Sequence, residues 1–327
     1  MRTYNWAILG LGNIARKFAQ DLALVPQARL HAVASRSLAK AQDFAAEFAV
    51  PHAVGSYADL LAVPDIDAVY IATPHSEHYA HALLCLRAGL PVLCEKAFAQ
   101  NATQAEEMIR VAQEGRVFLM EAFWTRFFPA IAQALRLVQA GHIGEVKHLV
   151  ADFGFATPYQ PEGRLFNPAL AGGSLLDIGV YPLFISQLFL GMPSAVGAVS
   201  TPAPTGVDLN CALALAYPGG ATASLFSTIA AQTDNRCVLY GTKGQLQLLG
   251  RFHAPTGVQV QLAGEESPQV FPSPTQGHGY HYEAAHVQEC LAQGLTESPL
   301  LPLAFSLQLM QQLDAVRQQI GLRYPGE

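Results

Sequence analysis

Ala7-Ile8-Leu9-Gly10-Leu11-Gly12-Asn13-Ile14-Ala15 decides how this chain is read. A short apolar run, 6–9, meets a G-x-G-x-x-A turn, and a helical pattern follows from Ile14. This is the order of parts in a βα unit that holds a dinucleotide. Gly10 permits the tight turn, Gly12 lets the backbone approach a pyrophosphate, and the small third residue lets helix and strand pack closely. The phosphates then rest on the N-terminus of the helix, where Asn13 and Ile14 stand. The motif alone is weak, because an ordinary glycine turn gives the same letters. Its surroundings carry the decision.

Up to about residue 123 strand and helix alternate. Apolar runs at 30–34, 67–72, 91–94 and 117–120 read as strands, and 39–48, 78–88 and 101–115 have helical spacing. Asn101 and Gln104 stand in capping-box spacing, with Gly115 past the end of that helix. Repeated βα units make a doubly wound parallel sheet of Rossmann type. Beyond residue 123 the pattern changes. Helical spacing at 129–140 and 174–190 brackets a strand-like run at 145–155, and several strand-like runs follow from residue 195. Pro218-Gly219-Gly220 joins 207–217 to 221–230, and 241–244 joins 237–240 to 245–249, both as hairpins. Helices at 283–291 and 303–320 finish the chain. The expected class is α/β: a dinucleotide-binding domain over 1–122, then an α+β domain over 123–327 with a large, mostly antiparallel sheet.

At 327 residues the chain fits two domains. Apolar residues make up 51% and charged ones 13%, enough for a sizeable core and too little charge for long disordered tails. The net charge of −6 and the absence of any Lys/Arg run exclude a nucleic-acid partner. Five scattered cysteines, never in C-x-x-C spacing, read as reduced core thiols of a cytosolic protein. The first five residues lead straight into a strand and leave no room for a signal peptide. The apolar run 175–190 contains Asp177 and Pro182 and is too short to span a bilayer. A soluble, cytoplasmic protein without membrane partner is expected. His75, His78 and His81 fit one helix face only loosely, and nothing completes a zinc pattern, so no metal is expected.

Sites for NAD place an acidic residue about twenty positions past the glycines, on the ribose 2′-hydroxyl. Here that place reads Ala34-Ser35-Arg36-Ser37, with no carboxylate to repel a 2′-phosphate. Ser35 and Ser37 can donate to such a phosphate, and Arg36 can pair with it or stack on adenine. NADP(H) is expected over NAD(H).

Hydride transfer from an alcohol needs a base, a group for the developing oxyanion and a dry pocket. Glu95-Lys96 lies at the carboxyl end of a parallel strand, where ligands of open α/β sheets bind. Asp177 and Tyr181, four apart, share one face of a helix that begins at Gly172-Gly173. A surface lysine and a core tyrosine are the commoner uses of such residues; their positions raise these two.

The G-x-G-x-x-A turn, A-T-P-H at 72–75, C-E-K at 94–96, M-E-A-F-W-T-R-F-F-P at 120–129 and G-G-S-L-L-D-I-G-V-Y-P at 172–182 together resemble the glucose–fructose oxidoreductase/inositol dehydrogenase (Gfo/Idh/MocA) family. Within it they are most similar to the dimeric dihydrodiol dehydrogenase branch and its bacterial relatives. The likeness runs nearly the whole chain, as far as Gly279-Tyr280-His281-Tyr282-Glu283. It implies that Lys96 is the catalytic lysine, that Tyr181 stands where many relatives have histidine, and that Asp177 is the helix aspartate. It implies further that Thr73, Pro74, His75 and Glu95 line the nicotinamide side, and that Trp124, Arg126 and Phe153 lie near substrate. Ala97 departs from the family's proline, which frees the backbone after Lys96.

A free tyrosine titrates near pH 10, so serving as base near pH 7 needs roughly 4 kcal/mol of help. A nearby ammonium in a low-dielectric pocket favours the phenolate. Tyr181 then takes the hydroxyl proton while Lys96 polarises the oxygen, or the two exchange roles, and Asp177 orients substrate or Lys96. Trp124, Phe127, Phe128, Phe153 and Phe155 suit the apolar face of a sugar, polyol or cyclic trans-diol. Two other readings stay open: a non-catalytic dinucleotide-sensing regulator, and a cofactor-dependent glycoside hydrolase of the same superfamily. The alternating apolar strands and the resemblance imply a homodimer through the C-terminal sheet.

Overall fold

The computed structural model describes residues 2–327. The chain forms two compact units, one from the residues up to Trp124 with Gln276–Leu307, the other from Thr125–Thr275 with Gln308–Glu327.

The first unit runs β1 (Tyr4–Leu9), α1 (Asn13–Leu22), β2 (Ala28–Ala34), α2 (Leu38–Phe48), β3 (His52–Val54), β4 (Ala68–Ile71), α3 (His75–Arg87), β5 (Val92–Glu95), α4 (Ala102–Gly115) and β6 (Leu119–Ala122). All six strands are parallel, in the order β3-β2-β1-β4-β5-β6. Strand order reverses between β1 and β4, and open sheets of this class bind ligands at the carboxyl ends beside that reversal. Both faces of the sheet are covered, so β4 and β5 are buried at every position. Phe18 of α1 stacks on Tyr70 of β4 at 3.7 Å between ring centres. Helix α4 starts as its sequence predicts, with Asn101 Oδ1 accepting the Gln104 N–H at 3.0 Å. Its end differs by one position: Gly115 is still helical, and Arg116 takes the left-handed conformation at φ 53°. The short strand β3 has no clear period of its own and was not legible.

The second unit runs α5 (Pro129–Gln139), β7 (Val146–Gly154), one π-helical turn (Leu175–Gly179), α6 (Val180–Leu190), β8 (Ala195–Pro202), β9 (Asp208–Ala216), β10 (Thr222–Thr228), β11 (Cys237–Gly241), β12 (Gly244–Arg251), β13 (Ala254–Leu262) and β14 (Gln269–Pro272). These strands form one sheet in the order β14-β13-β12-β11-β7-β10-β9-β8. Every pairing is antiparallel except β7 with β10. Both glycine hairpins form where the sequence predicts them, between β9 and β10 and between β11 and β12. The run Pro168–Leu190 is long and apolar enough to cross a membrane, but its apolar window is 89% buried inside the fold, as in the core helix of a globular domain.

Helix α7 (Tyr280–Ala292) lies in the first unit and packs on α1, and α8 (Leu303–Ile320) follows it. The compact units divide the chain differently from a single cut at 122/123, because 276–307 belongs to the first unit. The reason is local. Asp21, at the end of α1 and almost fully buried, accepts the backbone N–H of His278 (2.9 Å), Gly279 (2.7 Å) and Tyr280 (2.8 Å). One carboxylate thus serves the open end of α7 from a distant helix, in place of a local cap.

Candidate active site

On the first unit the glycine turn meets two demands. Gly10 has φ +93°, and a Cβ there would lie 2.7 Å from Thr73 Cγ2 and 2.9 Å from the Ala72 carbonyl. The tight turn and the neighbouring loop after β4 both require glycine. Gly12 precedes α1 in an extended conformation, and a Cβ on it would meet no protein atom within 4 Å. No protein atom asks for glycine at 12, and the open space over its backbone fits a pyrophosphate. Gly12 provides no side-chain cap for the first N–H groups of α1, at Asn13 and Ile14, and such an open helix start suits an anion.

Past β2, Ser35 Oγ accepts the Ser37 N–H (3.3 Å), and Ser37 Oγ accepts the Lys40 N–H (3.4 Å) as the cap of α2. Both hydroxyl protons remain available to a phosphate oxygen. Arg36 is exposed and its guanidinium lies beside the Tyr57 hydroxyl. Tyr57 meets His81 edge-on at 4.4 Å, and His81 Nδ1 lies 3.1 Å from Thr73 Oγ1. Arg36, Tyr57, His81 and Thr73 thus form one continuous wall. Tyr57 belongs to no motif and is not legible in the sequence, and His81 reads there only as a helix residue in the loose His75/His78/His81 spacing.

The loops after β4 and β5 are joined by His78. It is fully buried, with Nδ1 2.8 Å from the Ala97 carbonyl and Nε2 2.8 Å from the Thr73 carbonyl. Burial pushes its pKa down to about 4, against the opposing pull of the two carbonyls. Ala97 is fully buried, with its carbonyl at His78 Nδ1. Pro74 precedes the first turn of α3, which His75 begins, and the rings of His75 and His78 meet edge-on at 5.6 Å.

Glu95 ends β5 and Lys96 follows it, half-buried. The Tyr70 hydroxyl donates to Glu95 Oε1, and the Lys96 N–H donates to Glu95 Oε2 at 3.2 Å. Burial pushes the Tyr70 phenol well above its usual range, so it stays a donor. A tyrosine inside a buried strand needs such a partner, and that rule makes the bond legible in retrospect. Glu121 on β6 and Glu283 on α7 are buried in the same unit. Burial raises Glu121 to about 7, with Lys96 nearby pulling the other way, and holds Glu283 well above the carboxylate range beside Glu95 and Asp21. Trp124 stacks on Tyr280 at 4.5 Å with 13° between the rings, so the Asp21 cap also fixes the face that Trp124 presents.

On the second unit Asp177 lies in the π-turn and Tyr181 in the first turn of α6. The expected continuous α-helix over 174–190 is corrected to a π-turn followed by α-helix. The Val180 N–H reaches back to the Leu175 carbonyl, a widening that recurs at functional sites. Asp177 Oδ1 is 2.7 Å from Arg164 Nη1. The Tyr181 ring lies 5.4 Å from Phe153 and 5.5 Å from His253, and the last two stack at 4.1 Å. His253 and Phe252 occupy the two-residue turn between Arg251 and Ala254. That turn lacks glycine or asparagine, so neither it nor His253 was visible in sequence. Arg126 stands on a short 3-10 turn, and burial lowers its pKa. Phe128 is buried in the core of its unit.

Residues 4–123 match the oxidoreductase family with NAD-binding Rossmann fold, and 131–247 match the GFO/IDH/MocA C-terminal domain. Among curated relatives, the trans-1,2-dihydrobenzene-1,2-diol dehydrogenase of Bos taurus is 42% identical over 331 residues, covering 98% of each chain. Among solved structures, aldose-aldose oxidoreductase from Caulobacter crescentus, complexed with glycerol, has a TM-score of 0.88 at 29% identity over 97% of each chain. KijD10, a 3-ketoreductase from Actinomadura kijaniata in complex with NADP and TDP-benzene, has a TM-score of 0.84 at 28% identity over 98% of each chain. A glycine turn built for a dinucleotide, a lysine at the strand end beside it and this end-to-end likeness lead to one assignment: the chain belongs to the GFO/IDH/MocA family of oxidoreductases.

Proposed function

We propose that this protein is an NADP(H)-dependent dehydrogenase/reductase that moves hydride between a hydroxyl-bearing carbon of a sugar, polyol or cyclic trans-diol and the nicotinamide. The observation that carries the reading is the position of Lys96, directly after β5 in a parallel sheet whose Gly10–Gly12 turn fits a pyrophosphate. When bound, the nicotinamide supplies the hydride acceptor. Gly10, Gly12, Asn13 and Ile14 hold the pyrophosphate, while Ser35, Arg36 and Ser37 face the 2′-phosphate. Thr73, Pro74, His75, Glu95 and Lys96 line the nicotinamide side. Tyr181 removes the hydroxyl proton and Lys96 polarises the same oxygen. Asp177, paired with Arg164, orients substrate, and Trp124, Arg126 and Phe153 give the substrate an aromatic surface with one cation. Glu95, Asp177 and Tyr181 are buried, which strengthens their polar contacts.

The names of the relatives support the substrate class, since one acts on a cyclic trans-diol and another on aldoses. The buried, unlinked cysteines fit a reducing cytoplasm. A homodimer through the C-terminal sheet is supported by the exposed valines on its two edge strands, Val199 (69% exposed) and Val270 (49%). A sedimentation series that stays monomeric at every concentration removes the dimer. The function is tested by offering cyclic diols, aldoses and inositols with NADP⁺ or NAD⁺ and following absorbance at about 340 nm. Free NADPH released by one of these classes supports the proposal. No reduced cofactor from any of them removes it.

A further inference from the structure

The helix that carries Asp177 and Tyr181 is fastened at its start from two sides, by residues that no motif marks. Asp208, at the start of β9 and almost fully buried, accepts the Ser174 hydroxyl (2.7 Å) and the Leu175 N–H (2.6 Å) through Oδ2. Ser174 Oγ is also 3.0 Å from Ser227 Oγ on β10. The turn is shaped around these contacts. Gly173 has φ +113°, and a Cβ there would lie 2.1 Å from Asp208 Oδ1; at Gly179 a Cβ would lie 2.8 Å from Ser227 Oγ. On the other side the Tyr324 hydroxyl donates to the Gly172 carbonyl at 2.7 Å. Tyr324 is itself held, with the Arg317 guanidinium over its ring at 5.0 Å. Arg317 in turn makes two bonds to Glu327 (2.8 and 2.9 Å) and one to Asp314 (2.9 Å).

We propose that Asp208 and Tyr324 are positioning residues for hydride transfer, which together fix the Gly172–Ser174 turn from which the π-turn and Tyr181 are launched. The inference rests on the reading of Tyr181 as proton acceptor. Its physical basis is leverage. Asp208 grips the N–H end of the helix and Tyr324 grips the carbonyl just before it, so losing either lets the turn slide or rotate. A displacement of about 1 Å at the reacting groups costs up to about 100-fold in rate. Burial raises Asp208 to about 7, against the opposing pull of Ser174 and Leu175. The other titratable groups facing it are Cys211 on β9 and Tyr324 on the segment after α8, itself beside Arg317 and Glu327. The folded turn therefore holds the Asp208 proton up to about pH 7, and the hold on the helix start changes as that proton leaves.

The test uses the full chain with NADP⁺ and its best alcohol substrate. Asp208→Asn keeps the shape and one acceptor, and Tyr324→Phe removes a single hydroxyl. Each is expected to lower kcat by about tenfold while the Kd for NADPH stays within about twofold. In Asp208→Asn the wild-type change of kcat near pH 7 is expected to disappear. If folded, NADPH-binding Asp208→Asn and Tyr324→Phe keep wild-type kcat and the wild-type pH profile, the two residues only stabilise the fold and the proposal is overturned. Tyr181→Phe is run beside them. If it retains full kcat, the assignment of Tyr181 falls and this inference falls with it; if it loses activity, the outcome for Asp208 and Tyr324 stands on its own.

Discussion

Arg164 Nη1 lies 2.7 Å from Asp177 Oδ1, joining a half-exposed guanidinium to a carboxylate that is almost fully buried. The arginine comes from the irregular stretch before Gly172, and the aspartate from the π-turn one helical turn before Tyr181. Removing the charge from either partner leaves the other in place, so the two losses should not add. Because Arg164 is half in water, the pair contributes about 1 kcal/mol or less to stability. Its effect is expected in catalysis. Asp177→Asn should lower kcat/KM about 10- to 100-fold, and Arg164→Met about tenfold. Combined, they should cost little more than Asp177→Asn alone. Strict additivity in steady-state kinetics would show that the pair does not act as a unit.

The proposed preference for NADP(H) rests on Arg36. A charge-assisted bond from a guanidinium to a phosphate contributes about 1.5–3 kcal/mol, equivalent to about 10- to 100-fold in binding. Arg36→Ala should therefore reduce kcat/KM for NADP⁺ by that factor and leave NAD⁺ almost untouched. Equal losses with both cofactors, or a wild-type preference for NAD⁺, would contradict the assignment.

Glu121 gives a pH signature in stability. Burial raises its folded pKa to about 7, above the ordinary carboxylate value of 4.5. The folded state therefore binds the proton more tightly than the unfolded state between those two values. The resulting stabilisation is complete below about pH 4.5 and is lost as pH rises through 7. At about 1.4 kcal/mol per pH unit between the two pKa values, the change is about 3 kcal/mol. Glu121→Gln removes the titration, so denaturant unfolding from pH 4.5 to 7.5 should show wild type falling relative to the variant. Parallel pH dependences for the two proteins would mean that Glu121 does not carry the proton.

Residues with a regular period or a backbone demand were legible in the sequence. Gly10 and Gly12, the buried runs of β4 and β5, and the two glycine hairpins each follow from a local rule, and the structure has them in place. What could not be read is long-range. Asp21 serves a helix that begins 259 residues later, and Asp208 holds a turn 33 residues before it. His253 reaches Phe153 from a turn that has no turn-forming residue. These contacts depend on which strands become neighbours, and no spacing encodes that. The π-turn is a related case: 174–190 reads as an ordinary helix because a single widened turn leaves its apolar pattern nearly unchanged.

The central claim is that Tyr181 takes the substrate proton with help from Lys96. It is tested most directly by kcat for Tyr181→Phe and Lys96→Met with saturating NADP⁺ and alcohol. Both are expected to fall at least about 100-fold, as for the loss of a general base or an oxyanion-stabilising group, while NADPH still binds. Near-normal kcat in Tyr181→Phe with none in Lys96→Met would assign the base to the lysine; near-normal kcat in both would contradict the site.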